Sequence, residues 1–192
     1  MPKTKTRRSF HRSMQDKRYR KTEEAILEVL LKSKSMPSTT ELTQRARISR
    51  STLYRHHRAI PGIIPDYERE ILKAFRRGIK KTLNHPKTDL ENIYLKILLF
   101  VLRHKRVFKI LFRYSGDRVA ENIVLEVKDQ IARAQHLPKN SDPMLRIYAK
   151  EVAGVIEAWG ERGFPEHEIN QVQKDTLYLT TTIRQRLTPV NR

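Results

Sequence analysis

Apolar residues return every three or four positions along most of this 192-residue chain, and nowhere do they alternate as a half-buried strand requires. Ala25, Ile26, Val29 and Leu30 step this way behind Thr22-Glu23-Glu24, a cap with first-turn acids. They predict a first helix from Thr22 to about Ser33–Ser35. Ser38 and Glu41 then stand at capping-box spacing, in which the Ser38 hydroxyl accepts the Glu41 N–H and the carboxylate reaches back to the Ser38 backbone. A short second helix follows, with Leu42 and Ala46 inward. After the break "RIS", Ser49 is suited to cap a third helix from Arg50. Leu53 is its core residue, and Arg50, Ser51, Thr52, Tyr54, Arg55, His56 and Arg58 are polar neighbours.

The same period continues through the rest of the chain. "AIPGIIP" reads as punctuation, after which Ile64, Tyr67, Ile71, Phe75 and Ile79 trace one long amphipathic helix. Thr88-Asp-Leu-Glu91 is another capping box, opening an apolar helix through Ile93, Ile97, Phe100 and Val101. A short helix over His104–Tyr114 stops at Gly116, and Asp117–Ala134 carries Val119, Ile123, Val127 and Ile131 at helical spacing. The Pro-Lys-Asn-Ser-Asp-Pro stretch after Leu137 is a loop, and Asp142-Pro143 starts a helix that runs to Gly160 and Gly163. The last helix opens at Pro165 and ends near Leu187. The expected fold is all-α.

Charge narrows the partner. Forty Lys+Arg against 21 Asp+Glu leave a formal net charge of +19, which draws phosphates from a distance and points to nucleic acid first, an anionic membrane surface second. Residues 1–60 hold 16 Lys/Arg and five Asp/Glu, a net of +11. Residues 1–21 alone carry nine Lys/Arg and one acid with almost nothing apolar, which reads as a flexible basic arm that tracks phosphates or a minor groove.

Other classes are poorly served. Without cysteine there is no disulfide scaffold, thiol catalysis or Cys-based zinc site. No apolar stretch follows the basic N-terminus, and the longest aliphatic-aromatic run, Ile97 to Leu102, is too short to span a bilayer. The expectation is a soluble cytoplasmic protein. No phosphate-cradling glycine loop, Gly-x-Ser-x-Gly or His-Glu-x-x-His occurs. Adjacent His56 and His57 cannot both address one metal from a helix, and Glu166-His167-Glu168 is better explained as acids complementing a helix N-terminus. The chain reads as non-enzymatic, with no metal and no cofactor.

Two short helices, a tight turn and a basic exposed second helix make a helix-turn-helix, whose second helix enters the major groove by its N-terminal residues. Arg50 has the planar fork that matches guanine O6/N7, and Ser51 is small enough to let the helix approach base edges. Thr52, Tyr54 and His56 carry donors suited to phosphate oxygens, as does Thr39 at the start of the second helix. Arg55, Arg20 and Lys21 add cations beside them.

The run "STTELTQRARISRSTLYRHH" resembles the DNA-binding signature of TetR-family transcriptional regulators. Ser38, Thr39, Leu42, Ala46, Ile48, Ser49, Thr52, Leu53 and Tyr54 fall on it in register, and "DKRYRKTEEAILEVLL" is similar to the lead-in and first helix of one branch. Arg47 stands where the turn usually has Gly, and His57 where a core aromatic or aliphatic residue is usual. An arginine at φ > 0 in that turn would cost about 1 kcal/mol, so a turn of another type is the alternative there.

The resemblance implies three parts: a basic arm over 1–21, a DNA-binding domain over 22–62, and a regulatory and dimerisation domain over 63–192. It implies a dimeric repressor on a palindromic operator, whose two half-sites lie about 34–36 Å apart, released by a small-molecule effector. "AKEVAGVIEAWGERGFPEHE" is similar to the family's C-terminal region, where the last two long helices pair with a second subunit. Val155, Trp159, Ile169, Val172, Leu179 and Ile183 are the residues this places at a dimer interface; an intramolecular core is the alternative for Val155 and Trp159. Phe100, Phe108, Phe112, Tyr114, Tyr148 and Trp159 are aromatic enough to line an effector pocket, as they are to fill any helical core. Two other readings stay open: a sequence-blind nucleic-acid binder driven by charge, and a partner-responsive regulator without a ligand pocket.

Overall fold

The computed structural model describes residues 17–83, 90–116, 122, 125–126 and 142–187. All regular secondary structure among the described residues is helical. The chain divides after Asp66 into two compact units.

The first unit holds α1 (Lys17–Lys32), α2 (Thr39–Ala46), α3 (Arg50–His56) and the opening of α4 (Ile60–Leu83). Helix α1 packs against α2 and α2 against α3. Their shared core is Ile26, Leu27, Val29, Leu30, Leu42, Ala46 and Leu53, joined by Ile63 and Ile64 of α4, all buried. Ser33 fastens α1 to α2 by donating to the Val29 carbonyl at 2.8 Å and accepting from Arg45 Nη1 at 3.0 Å.

The sequence expectation and the structure part in three places here. Helix α1 begins at Lys17, not Thr22, because the Tyr19 ring stacks on His56 at 4.0 Å and gives the basic segment something to pack on. "AIPGIIP" is helix, not punctuation. Pro61 falls in the first turn of α4, where no N–H is needed, and the buried Ile63 and Ile64 outweigh the bond that Pro65 cannot donate. The capping box of α2 is half made: Ser38 Oγ accepts the Glu41 N–H at 3.2 Å, but the Glu41 carboxylate takes Arg45 Nη1 at 2.9 Å, one turn on.

The second unit holds the rest of α4 from Tyr67, α5 (Leu90–Arg103), α6 (Lys105–Ser115), α7 (Asp142–Glu161), a 3-10 turn (Glu166–Glu168) and α8 (Ile169–Leu187). Helix α8 packs on α5 and α7, and α6 on α5 and α7. An aromatic row runs through it: Phe75 on Phe100 with centroids at 5.2 Å, Phe100 on Phe108 at 6.3 Å, Phe108 on Phe164 at 6.5 Å and Phe164 on Trp159 at 5.3 Å. Helix α7 ends in a turn where the Phe164 N–H bonds the Trp159 carbonyl at 3.1 Å and Gly163 N–H that of Gly160 at 2.9 Å. Gly163 at φ 87° makes that reversal without a Cβ in the way.

The arm over 1–16, the capping residues Thr88 and Asp89, the core positions Val119, Ile123, Val127 and Ile131, and the loop after Leu137 lie outside the described residues, as do the side chains of Ile79, Tyr148 and Ile183.

Candidate nucleic-acid interface

The link from α2 to α3 is Arg47-Ile48-Ser49. Arg47 sits in the left-handed region at φ 54°, ψ 44°. Its N–H bonds the Gln44 carbonyl at 3.2 Å and the Ile48 N–H bonds that of Thr43 at 3.0 Å, which together satisfy two of α2's last carbonyls. The left-handed turn is therefore used with an arginine in it. Arg47→Gly is expected to stabilise the first unit by about 1 kcal/mol, read as a higher urea midpoint at unchanged slope.

Ser49 caps α3, its hydroxyl accepting the Thr52 N–H at 3.0 Å. The same oxygen lies 2.8 Å from Ser51 Oγ and 2.9 Å from Thr52 Oγ1, so three hydroxyls cluster at the helix start. Leu53 fills the core at 1% exposure, and Arg50, Ser51, Tyr54 and Arg55 face outward. Arg50 Nη2 donates to Thr40 Oγ1 of α2 at 2.9 Å, and Arg55 Nη2 to Thr52 Oγ1 at 3.2 Å. Thr52 and Thr39 are half-buried, while Arg20 and Lys21 are exposed on α1. Helix α3 contains no acidic residue.

No family model, curated protein or solved structure matches the chain.

His56 departs from its expected role as a phosphate donor. It is 8% exposed, stacked on Tyr19, with Nδ1 donating to Glu23 Oε1 at 2.5 Å. Three positions after Leu53, it falls on the inner face of α3, where a phosphate cannot reach it. His57, 4% exposed, ends α3 with its N–H on the Leu53 carbonyl at 2.8 Å. Its Nδ1 donates to Asp66 Oδ2 at 3.1 Å, and Nε2 is 3.4 Å from Glu23 Oε2. The position keeps its core role, with polar partners in place of apolar packing. No group of three or more His, Cys, Asp or Glu among the described residues is placed to hold a metal ion.

Burial works to raise the Glu23 carboxyl, but hydrogen bonds and charge from His57, then His56, outweigh it and hold the group below its ordinary 4.5. With the folded value depressed, the unfolded chain binds more protons between the two values, so stability rises with pH there. The contribution is complete above about 4.5 and is lost as pH falls through the lower folded value. Acid unfolding of the first unit is expected to be steeper in the wild type than in Glu23→Gln. Chemical denaturation at a series of pH values below 5 checks this, and parallel profiles would exclude the linkage.

The expected effector-pocket residues are brought together only in part. Phe100 and Phe108, with Ile71, Leu72, Phe75, Ile97, Val101 and Ile156, enclose about 10 Å³, no more than one water occupies. Trp159 is fully buried and donates through Nε1 to the Pro165 carbonyl at 3.2 Å. Phe112 lines a different, open groove of about 410 Å³ with Lys109, Arg113, Glu157, Gly160, Glu161 and Gly163.

Of the residues assigned to a dimer interface, Trp159 and Val172 are buried within the single chain, at 0% and 3% exposure. They offer a second copy no surface. Val155 and Ile169 are half-buried, and Leu179 is exposed beside Tyr178 on α8.

Sequence reasoning missed Tyr19, Glu23 and Asp66. Tyr19 and Glu23 are four apart on α1 and so share a face, which was the available signal. Asp66 had none, since its partner lies across a loop.

Among the described residues, no helix is long and apolar enough to cross a membrane.

Proposed function

We propose that the chain is a sequence-specific double-stranded DNA-binding regulator of transcription, of the TetR type. Its α2 and α3 act as a helix-turn-helix that lays the start of α3 in a major groove. One observation carries the reading: α3 is capped at Ser49, buried through Leu53 and His56, and turns Arg50, Ser51, Tyr54 and Arg55 outward with no acid among its seven residues. A cationic face on a short, well-anchored helix suits the approach to base edges between two phosphate rows. A single such helix reads few base pairs, so the protein works as a pair on a palindrome. The exposed Tyr178 and Leu179 of α8 support that pairing.

Selection of duplexes from a random pool at a fixed salt concentration tests this. An enriched palindrome supports the regulator. Strong binding with no enriched motif and a steep salt slope supports charge-driven binding instead. An absence of binding removes the DNA role altogether.

A further inference from the structure

We propose that Glu23 is a positioning residue for α3, gripping through His56 and His57 the end of the helix that the bases do not see. The inference rests on the DNA-reading role given to α3 above.

Helix α3 has seven residues, about two turns, and a helix that short is marginal without tertiary support. Its orientation therefore depends on its anchors. At its start are the Arg47 turn and the Ser49 cap, and at its middle is Leu53. Its far end is fixed by polar groups and one stacked ring. The Glu23 carboxylate sits between the two imidazoles, with Oε1 at 2.5 Å from His56 Nδ1 and Oε2 at 3.4 Å from His57 Nε2. Tyr19, one turn earlier on α1, covers the His56 ring at an interplanar angle of 14°. Asp66, in α4, takes His57 Nδ1 from the other side. Helices α1, α3 and α4 thus meet at one cluster of two carboxylates, two imidazoles and the Tyr19 ring.

A carboxylate that accepts from His56 and faces the neighbouring His57 Nε2 at 3.4 Å opposes both tilt and rotation of the helix that ends in these residues. Base readout demands this more than phosphate contact does. Bidentate pairing fails with small misplacements, and flexible cations reach phosphates from many angles. Loss of the grip should therefore cost discrimination between sequences before it costs general affinity.

The experiment uses the full chain, the duplex that the wild type selects, and a scrambled duplex of equal length. Both are titrated at a temperature where circular dichroism shows every variant folded. Glu23→Ala is expected to lose about 10- to 100-fold on the selected duplex, the range for a charged hydrogen-bond partner, and about 2-fold or less on the scrambled one. Glu23→Gln, which keeps an acceptor oxygen for His56, is expected to restore most of the loss. Nitrogen-15 spectra of the free protein should show His56 protonated at Nδ1 in the wild type and Glu23→Gln, with that signature lost in Glu23→Ala. If Glu23→Ala does not fold, Glu23→Asp, too short to span both rings, takes its place with the same expected direction. Equal losses on the two duplexes, or none on either, overturn the positioning role. A wild type that binds both duplexes alike overturns the DNA-reading role, and this inference with it.

Discussion

Trp159→Ala is expected to cost the second unit about 3–5 kcal/mol, the range for emptying a buried aromatic site. The single tryptophan of the chain is fully buried, sets an edge-to-face contact with Phe164 at 5.3 Å, and donates from Nε1 to the Pro165 carbonyl at 3.2 Å. It thus stands at three points of the same turn: its carbonyl takes the Phe164 N–H, its ring packs on the Phe164 ring, and its indole nitrogen holds the next residue. Phe164 adopts φ 56°, a conformation costly for a phenylalanine, and these contacts hold it there. Alanine would empty the site and release that strain into disorder of the turn. Urea unfolding followed by circular dichroism measures the loss. In the wild type, fluorescence of the same indole reports the same transition. Gly160→Ala is a companion from the opposite direction, since a Cβ there would lie 2.8 Å from Phe164 Cζ. Overpacking of this kind costs about 1–3 kcal/mol. A loss below about 1 kcal/mol for Trp159→Ala, the level of a surface change, would mean that the turn is held by something else.

Trp159 also shows where the sequence stopped being informative. Its apolar spacing along α7 was legible, and so was the Gly-Phe-Pro turn behind it. Whether the ring meets a ligand, a second chain or its own chain was not, because burial in each case calls for the same residue type. Phe164, which decides the matter, follows a glycine in a turn and carries no periodic signal at all.

The first unit repeats the lesson with polar groups. Helices α2 and α3 were placed by Ser38, Ser49, Leu42, Ala46 and Leu53, since caps and apolar period are local. The cluster beneath α3 is not local: His56 and Glu23 are 33 positions apart, and His57 and Asp66 nine. A histidine between arginines looks like one more surface cation until its register with Leu53 is counted. The two prolines of α4 misled in another way: Pro61 sits in the first turn, a place proline marks as readily as a loop, and Pro65 lies inside the helix, where local preference argues against it.

Arg50→Ala is expected to lower discrimination between the selected and scrambled duplexes by about 1–3 kcal/mol, or roughly 5- to 150-fold, the worth of one bidentate base contact. Arg50 is exposed at the first position of α3, and Nη2 is held by Thr40 Oγ1 at 2.9 Å. The hydroxyl restrains the guanidinium before any partner arrives, which lowers the entropy to be lost on binding. Thr40→Ala should therefore weaken selected-site binding in the same direction by less. Arg50→Lys should fail to restore discrimination, because an ammonium keeps the charge but not the planar fork. Tyr54 supplies the contrast. It is 50% exposed, and its hydroxyl suits a phosphate, so Tyr54→Phe should weaken selected and scrambled duplexes together, by about 0.5–1.5 kcal/mol. Salt titration separates the two further. Removing Arg50 should relax one position of the selected sequence, whereas removing a phosphate-pairing cation such as Arg55 should reduce the salt slope by about one. Equal losses for Arg50→Ala on both duplexes would move Arg50 from the bases to the backbone and leave the reading to some other side chain of this face.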